Sequence, residues 1–478
     1  MKRISIFIVL LTFVVSCGPS LETTTVSSDP AELLSIDTSR VETETDAAAD
    51  DFVHLKLGEI SKIHSLDPLF AESNSEHRVH NLVYEQLVGT NQLGNPSPEL
   101  AHRWDVNNDS TQFTLQLRTD IYFHDSPVFG SGTGRRFTAQ DVRFAFERMA
   151  MNEVPDWAAQ LFSDIRGFNA FHKEQTLIKD PAKRVIGSIE GLKVRNDSTV
   201  IFILNESSDD FLERLAHPYA SIYPRESIPA KVGPIQQAAG TGRFKFIQKN
   251  DNTHLFTTNK NYRGVTPRLN RLDIVSGLDE RELYQRFARK DLDVLIEVSF
   301  PTIQTITDSS GTLLPQFIPI YKLQNSEVEA VHAVYYNESA RQEAQVNNLL
   351  DSLSATELIG QPRWGDVEFL PLESNSAAGN QENRSLVSSR IQHHNEWVLF
   401  NNLANAAAGY GFTFTVTPSL APATYTTFTT LPFVNTTPVI RWRAPVFVLS
   451  HASVEGLNIQ HFPWELNLTS LQLVEAGQ

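Results

Sequence analysis

Short apolar–polar alternating segments interleaved with amphipathic ones, at no fixed repeat period, place this 478-residue chain in the mixed α/β class. Hydrophobic residues at 41% and charged residues at 20% leave enough apolar material for a core, which excludes wholesale disorder and a polytopic membrane protein. Polar turn clusters and capping residues stand at the ends of the periodic segments, where strands and helices need them.

Taken in order, FVHLKLGE from Phe52 alternates as a half-buried strand, and SLDP at Ser65–Pro68 turns the chain out of it. Val79, Leu82, Val83 and Leu87 fall at i, i+3, i+4 and i+8 and predict one helical face. NNDS at Asn107–Ser110 turns into a strand across 111–124, carried by Phe113, Leu115 and Leu117. Thr138 and Asp141 have the spacing of a capping box, and Val142, Ala145, Phe146 and Met149 form the buried stripe of the helix that follows. NDS at Asn196–Ser198 leads into the strand TVIFILN, after which Asp209 or Asp210 caps FLERLAH and Pro218 follows its end. GTGRFKFIQ, RLDIVSG and LDVLIEV read as further strands, and DERELYQRFARK as a short amphipathic helix. The Thr- and Pro-rich stretch 415–440 admits loop, edge strand or crossover.

The N-terminus has the layout of an export signal. Lys2 and Arg3 precede the apolar run Ile4–Val15, which is short for a membrane span but suits a signal h-region. The run ends at Cys17, the chain's single cysteine, in VVSCG, which resembles a bacterial lipobox with Cys17 as the lipid attachment point. A single cysteine also rules out an intrachain disulfide, a Cys-based zinc site and a CxxC redox pair. Residues 1–17 are therefore expected to be a lipoprotein signal peptide and 18–51, acidic and free of aromatics, a disordered tether. Such a tether has a reach of roughly 30–35 Å.

The 56 acidic and 40 basic side chains leave a net charge of −16, which repels phosphate and argues against nucleic-acid binding. HExxH, P-loop, GxGxxG and GxSxG motifs are absent. GSGTGR at Gly130–Arg135 lacks the P-loop ending and reads as a hairpin extension, and the adjacent His393 and His394 point apart on regular structure. The expectation is a non-enzymatic protein with no cofactor and no metal site.

Several ordered stretches resemble one family, the bacterial extracellular solute-binding proteins, family 5. They are SLDP, VYEQLVGTNQLGNPSPELAHRWDVNNDSTQFTLQLRTDIYFHD, FTAQDVRFAFER, GTGRF, NKNYRG with PRLNRLDI, and RKDLDVLIEV, with weaker matches at VEAVHAVYYN and APVFVLSH. Ser126 departs from the family's usual Gly, and the Trp- and Asp-containing segment of its second lobe has no counterpart. The resemblance implies a bilobal periplasmic-binding-protein-like clamp of class II type with an inserted small subdomain. Its large lobe would comprise 52–66, 190–262 and 431–478, its small subdomain 67–189, and its second lobe 263–430. A solute would be captured between the lobes by closure at a hinge.

The implied role is the substrate-binding component of an ABC importer for oligopeptides or a similar small solute. It would work as a monomer with a permease and ATPase complex, held by its lipid anchor at the cell envelope. That places it in the periplasmic space or on the outer face of the cytoplasmic membrane. Two alternatives stay open: a solute-binding fold reused as a sensor or surface lipoprotein, and a secreted hydrolase. The resemblance singles out Phe70 and Glu72 after SLDP, unless they simply form a turn, and Trp157 in a Pro-Asp-Trp loop, where core packing is the competing role. Of the adjacent Tyr335 and Tyr336, one faces the core, and Tyr336 is assigned to the cleft. Arg441 and Trp442, with Arg443, lie near the return crossing, where an Arg could pair with an acidic ligand group or simply belong to a surface strand. His451 closes the VFVLSH strand as a further candidate.

Overall fold

The first strand, β1 (Val53–Glu59), is buried on one face along much of its length, where Leu55, Leu57 and Glu59 are fully buried, and at its end on the other face as well, where Gly58 is buried. The computed structural model describes residues 53–326 apart from 92, 229–232 and 266, and 445–474 apart from 460–461. Between these it describes six strands by their backbone. The chain divides at Ala48/Ala49, and all described residues belong to the second unit, so Cys17 and 18–51 lie outside them.

A loop over 60–73 leads from β1 into α1 (Asn74–Val83). The helix stops one turn short of Leu87, which is buried beyond it, because Tyr84 takes an extended conformation. The hairpin β2 (Val88–Thr90) and β3 (Pro96–Pro98) follows, then β4 (Ala101–Val106) and β5 (Gln112–Leu117). The strand expected over 111–124 thus ends at Leu117. Three helices come next, α2 (Ala139–Met149), α3 (Asp156–Gln160) and α4 (Phe168–Leu177), before β6 (Leu192–Asn196) and β7 (Thr199–Ile203).

The capping box of α2 closes as its spacing predicts: the Thr138 N–H donates to the Asp141 carboxylate at 2.9 Å. The stripe of Val142, Ala145, Phe146 and Met149 is buried. Strands β4, β5, β7 and β6 make an antiparallel sheet in that order. Phe113 and Phe202 sit opposite each other on β5 and β7, and Phe146 meets Phe202 edge-on at 5.0 Å. Beyond the limit of 189 expected for the small subdomain, β7 is still hydrogen-bonded to β5.

After α5 (Phe211–Arg214) the chain forms β8 (Phe244–Asn250), β9 (Thr253–Thr258), β10 (Leu269–Ser276), α6 (Glu280–Ala288), β11 (Val294–Ile296), α7 (Phe300–Ile306) and β12 (Tyr321–Asn325). The glycines of GTGRF have a steric cause. A Cβ at Gly240 would lie 1.9 Å from the Val83 carbonyl oxygen, and the Gly242 N–H donates to that oxygen at 2.9 Å. The motif therefore seals the end of α1 by backbone contact.

The remaining strands are β13 (Ala330–Tyr336), β14 (Asp366–Phe369), β15 (Ser385–Ser388), β16 (Thr413–Val416), β17 (Thr424–Tyr425), β18 (Pro438–Ala444) and β19 (Phe447–His451). Two larger sheets result. One has the order β12-β19-β11-β1-β10-β9-β8, in which β1 runs parallel to both β10 and β11. The other has the order β14-β18-β13-β15-β16, with β17 also on β13. Beyond the position 263 expected for a lobe boundary, β10, β11 and β12 are still bonded into the sheet of β1 and β19. Past position 431, β18 still belongs to the second sheet and β19 to the first. The two passages between sheets, β12 to β13 and β18 to β19, run side by side. The Ser326 N–H donates to the Val446 carbonyl at 2.9 Å, and the Val446 N–H to the Ser326 hydroxyl at 3.0 Å.

The SLDP turn is built around a buried charge. Asp67 receives the Arg148 guanidinium through both oxygens, at 3.0 and 2.5 Å, and also accepts the Leu69 and Ile235 N–H groups. It ties the loop after β1 to α2 and to the stretch before β8. Truncating one partner of a dry ion pair strands the other, at a cost of about 3–5 kcal/mol. Asp67→Ala is expected to lower the unfolding free energy by that amount in urea titration; a loss below about 1 kcal/mol would refute the role of the pair.

Candidate functional site

In sheets of this kind ligands bind beyond the carboxyl ends of parallel strands, where the chain leaves in opposite directions. Here that point lies at β1, whose last residue Glu59 is level with Ser276 of β10 and Ile296 of β11. The loop over 60–73 starts there and holds Phe70 and Glu72.

Side chains from three sources hold the backbone of that loop. Glu76, in the first turn of α1, accepts the N–H groups of His64 at 2.8 Å, Ser65 at 3.0 Å and Glu72 at 2.7 Å. The His80 imidazole meets the Ser65 carbonyl at 3.1 Å, and the Tyr84 hydroxyl donates to that of Leu66 at 3.0 Å. The Tyr219 hydroxyl donates to the Ala71 carbonyl at 2.9 Å, next to Glu72. Burial pushes Glu76 up to about 7, although its three backbone donors pull the other way.

Beneath the loop sits a buried charge triad. Arg78, 1% exposed, donates to Glu59 at 2.7 Å and to Glu297 at 3.1 Å, and a third N–H reaches the Pro463 carbonyl. The Ser75 hydroxyl donates to Glu59 at 2.8 Å. Burial raises the pKa of Glu59, against the opposing pull of Arg78. Burial alone would lower Arg78, but the two carboxylates more than reverse it. Glu297, just past β11, adopts a positive φ of 61°, a conformation that costs energy for a non-glycine residue and that the triad helps to hold.

The structure brings Phe70 and Glu72 together on this loop, both partly exposed. Phe70 ends a 3₁₀ turn over Pro68–Phe70, so the turn and the exposed position coexist. Trp157 lies in α3 rather than in a loop, and its side chain is outside the described residues. Tyr336 closes β13 opposite Leu386, while Arg441 and Trp442 on β18 lie opposite Ala333 and His332. These three therefore share one strand pair in the second sheet, described by backbone alone.

His451 belongs elsewhere. It ends β19 at the opposite end of the strands from Glu59, stacks on Phe287 at 4.2 Å and meets the Phe287 carbonyl at 2.8 Å. Glu76 went unnoticed in the sequence, although Ser73-x-x-Glu76 has capping-box spacing. Its Ser73 oxygen accepts the Glu76 N–H at 3.2 Å.

Protonation of His80 probes the loop. One ring nitrogen is committed to Ser65, the other is buried without a hydrogen-bond partner, and burial depresses the pKa to about 4. Between about 6.5 and 4 the unfolded chain then binds the proton and the folded one does not. This contribution to stability is whole above 6.5 and is lost as pH falls toward 4, amounting to about 3 kcal/mol. The raised pKa of Glu76 acts with the opposite sign, so the comparison is with a variant: His80→Gln should flatten the fall in unfolding free energy over that window. Parallel pH profiles of the two proteins would refute it.

Comparison with known proteins places this geometry. The model of bacterial extracellular solute-binding proteins, family 5 (Middle), matches residues 95–347. Di/tripeptide-binding protein 4 of Pseudomonas aeruginosa is 30% identical over 196 residues, covering 40% of this chain and 34% of that protein. Heme-binding protein A of Haemophilus influenzae is 28% identical over 254 residues, covering 51% of this chain and 42% of that protein. The chain thus aligns with less than half the length of these relatives. The solved murein tripeptide binding protein MppA of Escherichia coli superposes with a TM-score of 0.65 at 13% identity, over 88% of this chain and 98% of that one. A dipeptide binding protein from Pseudoalteromonas sp. SM9913, in complex with Met-Leu, gives 0.62 at 15%, over 88% and 100%. With the family model covering more than half of its length, the chain belongs to the bacterial extracellular solute-binding proteins of family 5.

Proposed function

We propose that the protein is the substrate-binding component of an ABC importer, taking a peptide or a similar small solute between its two lobes and delivering it to a permease and ATPase complex. The observation that carries this reading is the family match over 95–347, on a chain whose two sheets are joined by adjacent crossings at Ser326 and Val446. Paired crossings of this kind suit a hinge, because a small change of backbone angles in both turns one lobe against the other. The di/tripeptide- and tripeptide-binding relatives favour a peptide, and the heme-binding relative keeps a larger planar solute in the comparison.

In this reading Phe70 and Glu72 contribute from the first lobe, and Trp157, Tyr336, Arg441 and Trp442 are the further contact candidates. The sequence shows no recognisable counterpart of the Trp- and Asp-containing segment that, by family resemblance, carries the carboxylate in dipeptide binders, so Glu72 is assigned to the free amino end. Its backbone is anchored by Glu76, which leaves the position of its carboxylate defined by a fixed loop. A charge-assisted hydrogen bond there contributes about 1.5–3 kcal/mol.

Calorimetry with a panel of di- and tripeptides, with haem as comparison, tests the class. Scattering with and without the tightest ligand tests closure, which should reduce the radius of gyration. Glu72→Gln should weaken a peptide with a free amino end about tenfold or more and leave its N-acetylated analogue nearly unchanged. Equal losses for both would remove Glu72 from that role, and an absence of binding by every peptide would remove the peptide class.

The lipid anchor is assigned to Cys17 on the signal layout that precedes it. Cys17→Ser should abolish incorporation of a labelled fatty acid and leave an unprocessed precursor on gels. Unchanged labelling would overturn the assignment.

A further inference from the structure

The loop at Glu72 adjoins one end of α1; a second polar site adjoins the other, about 15 Å along at 1.5 Å per residue over ten residues. There, a solvent-open pocket of about 210 Å³ lies between the end of α1, the β2–β3 hairpin and the segments that carry Arg243, Tyr262 and Arg263. That volume is well above what one water requires.

The lining carries both charges. Glu85, Glu99 and Glu465 are the acids, and Arg243 and Arg263 the bases. Arg263 donates to one oxygen of Glu85 at 2.8 Å, and Glu465 accepts from the Thr90 hydroxyl and the Phe462 N–H. Both guanidiniums sit over the Tyr262 ring, with Cζ 5.3 and 5.8 Å from its centroid.

Two of the charged groups are left incomplete. Glu85 is 2% exposed; the Thr241 and Tyr262 hydroxyls approach its carboxylate and favour its ionised form, yet its Oε2 has no well-formed hydrogen bond, and the buried Nε of Arg243 has none either. Arg243 forms no ion pair among the described residues. Buried polar atoms are almost always paired in folded proteins, so an orphaned acceptor and an orphaned donor on one pocket wall call for a ligand that offers both partners.

We propose that this pocket is a second binding site for a small zwitterion of the α-amino-acid class, with its ammonium between Glu85 Oε2 and Glu99 and its carboxylate on Arg243. Burial, and then the charge of Glu85, push Glu99 up to about 8. An arriving ammonium favours the ionised form, so binding near neutral pH releases a proton from Glu99. The site uses none of the residues assigned to the peptide, and its fate is separate from that reading.

The test is calorimetry on the full-length protein with L-alanine, and with alaninamide and propionate, which lack the carboxylate and the ammonium respectively. L-Alanine should bind at least tenfold more tightly than either analogue, with its enthalpy at pH 7 depending on buffer ionisation. Arg243→Gln should weaken L-alanine at least tenfold and leave the affinity for a peptide unchanged. Arg243→Lys, which keeps the charge, should recover part of the loss, and an unaltered melting temperature in both variants separates this from misfolding. A saturating peptide should not displace L-alanine. The proposal fails if none of the twenty amino acids binds at 10 mM, if propionate matches L-alanine, or if Glu72→Gln rather than Arg243→Gln removes the binding.

Discussion

One buried guanidinium connects the parts of the first lobe on which a ligand-facing surface depends. Arg78 reaches the last residue of β1, the residue after β11 and a carbonyl of the C-terminal segment, three stretches more than 200 positions apart in sequence at their widest. In a dry interior such a contact is an all-or-nothing constraint. With its partners present it fixes the ends of two parallel strands relative to one another; without them an uncompensated charge remains. The positive φ of Glu297 fits this account, since a strained backbone persists only where its surroundings over-determine it.

The loop above the triad follows the same logic, with its peptide groups as the partners. A loop of this kind normally satisfies its peptide groups with water. Here carboxylate, imidazole and phenol groups do so from α1 and from Tyr219, while the Asp67–Arg148 pair pins the turn from below. A loop held at so many points loses little freedom when a solute arrives, and pre-organisation of that kind favours affinity. The proposed closure would turn on the crossings at Ser326 and Val446, where two chain passages lie side by side.

The pocket beyond α1 has the opposite character. Its charges are numerous but incompletely paired, and its glycine-lined neighbour GTGRF approaches α1 so closely that no side chain could fill the space. The family signature GTGRF is here a packing contact, and Arg243, within the same motif, is the residue that turns the contact into a charged wall.

Local rules were enough to read much of this protein from its sequence. Period-two alternation located β1 and β5, the NDS turn before an apolar run located β7, and the Thr138–Asp141 spacing located the start of α2, because strand faces, turns and helix caps are set by neighbours within a few residues. The ordered family motifs pointed to the solute-binding fold for a related reason: they encode turns, caps and close backbone contacts that recur wherever that fold is built. Sheet membership was not legible. Whether β10, β11 and β12 belong with β1 or with the later strands depends on hydrogen bonds between residues more than 100 apart, and no local pattern carries that choice. The same holds for the charges. Glu59, Glu76, Arg78 and Glu85 look like ordinary surface residues in the sequence, and His451 like a candidate ligand contact. Only the packing of distant segments, by removing water, turned the first four into buried constraints and gave His451 a place in the core.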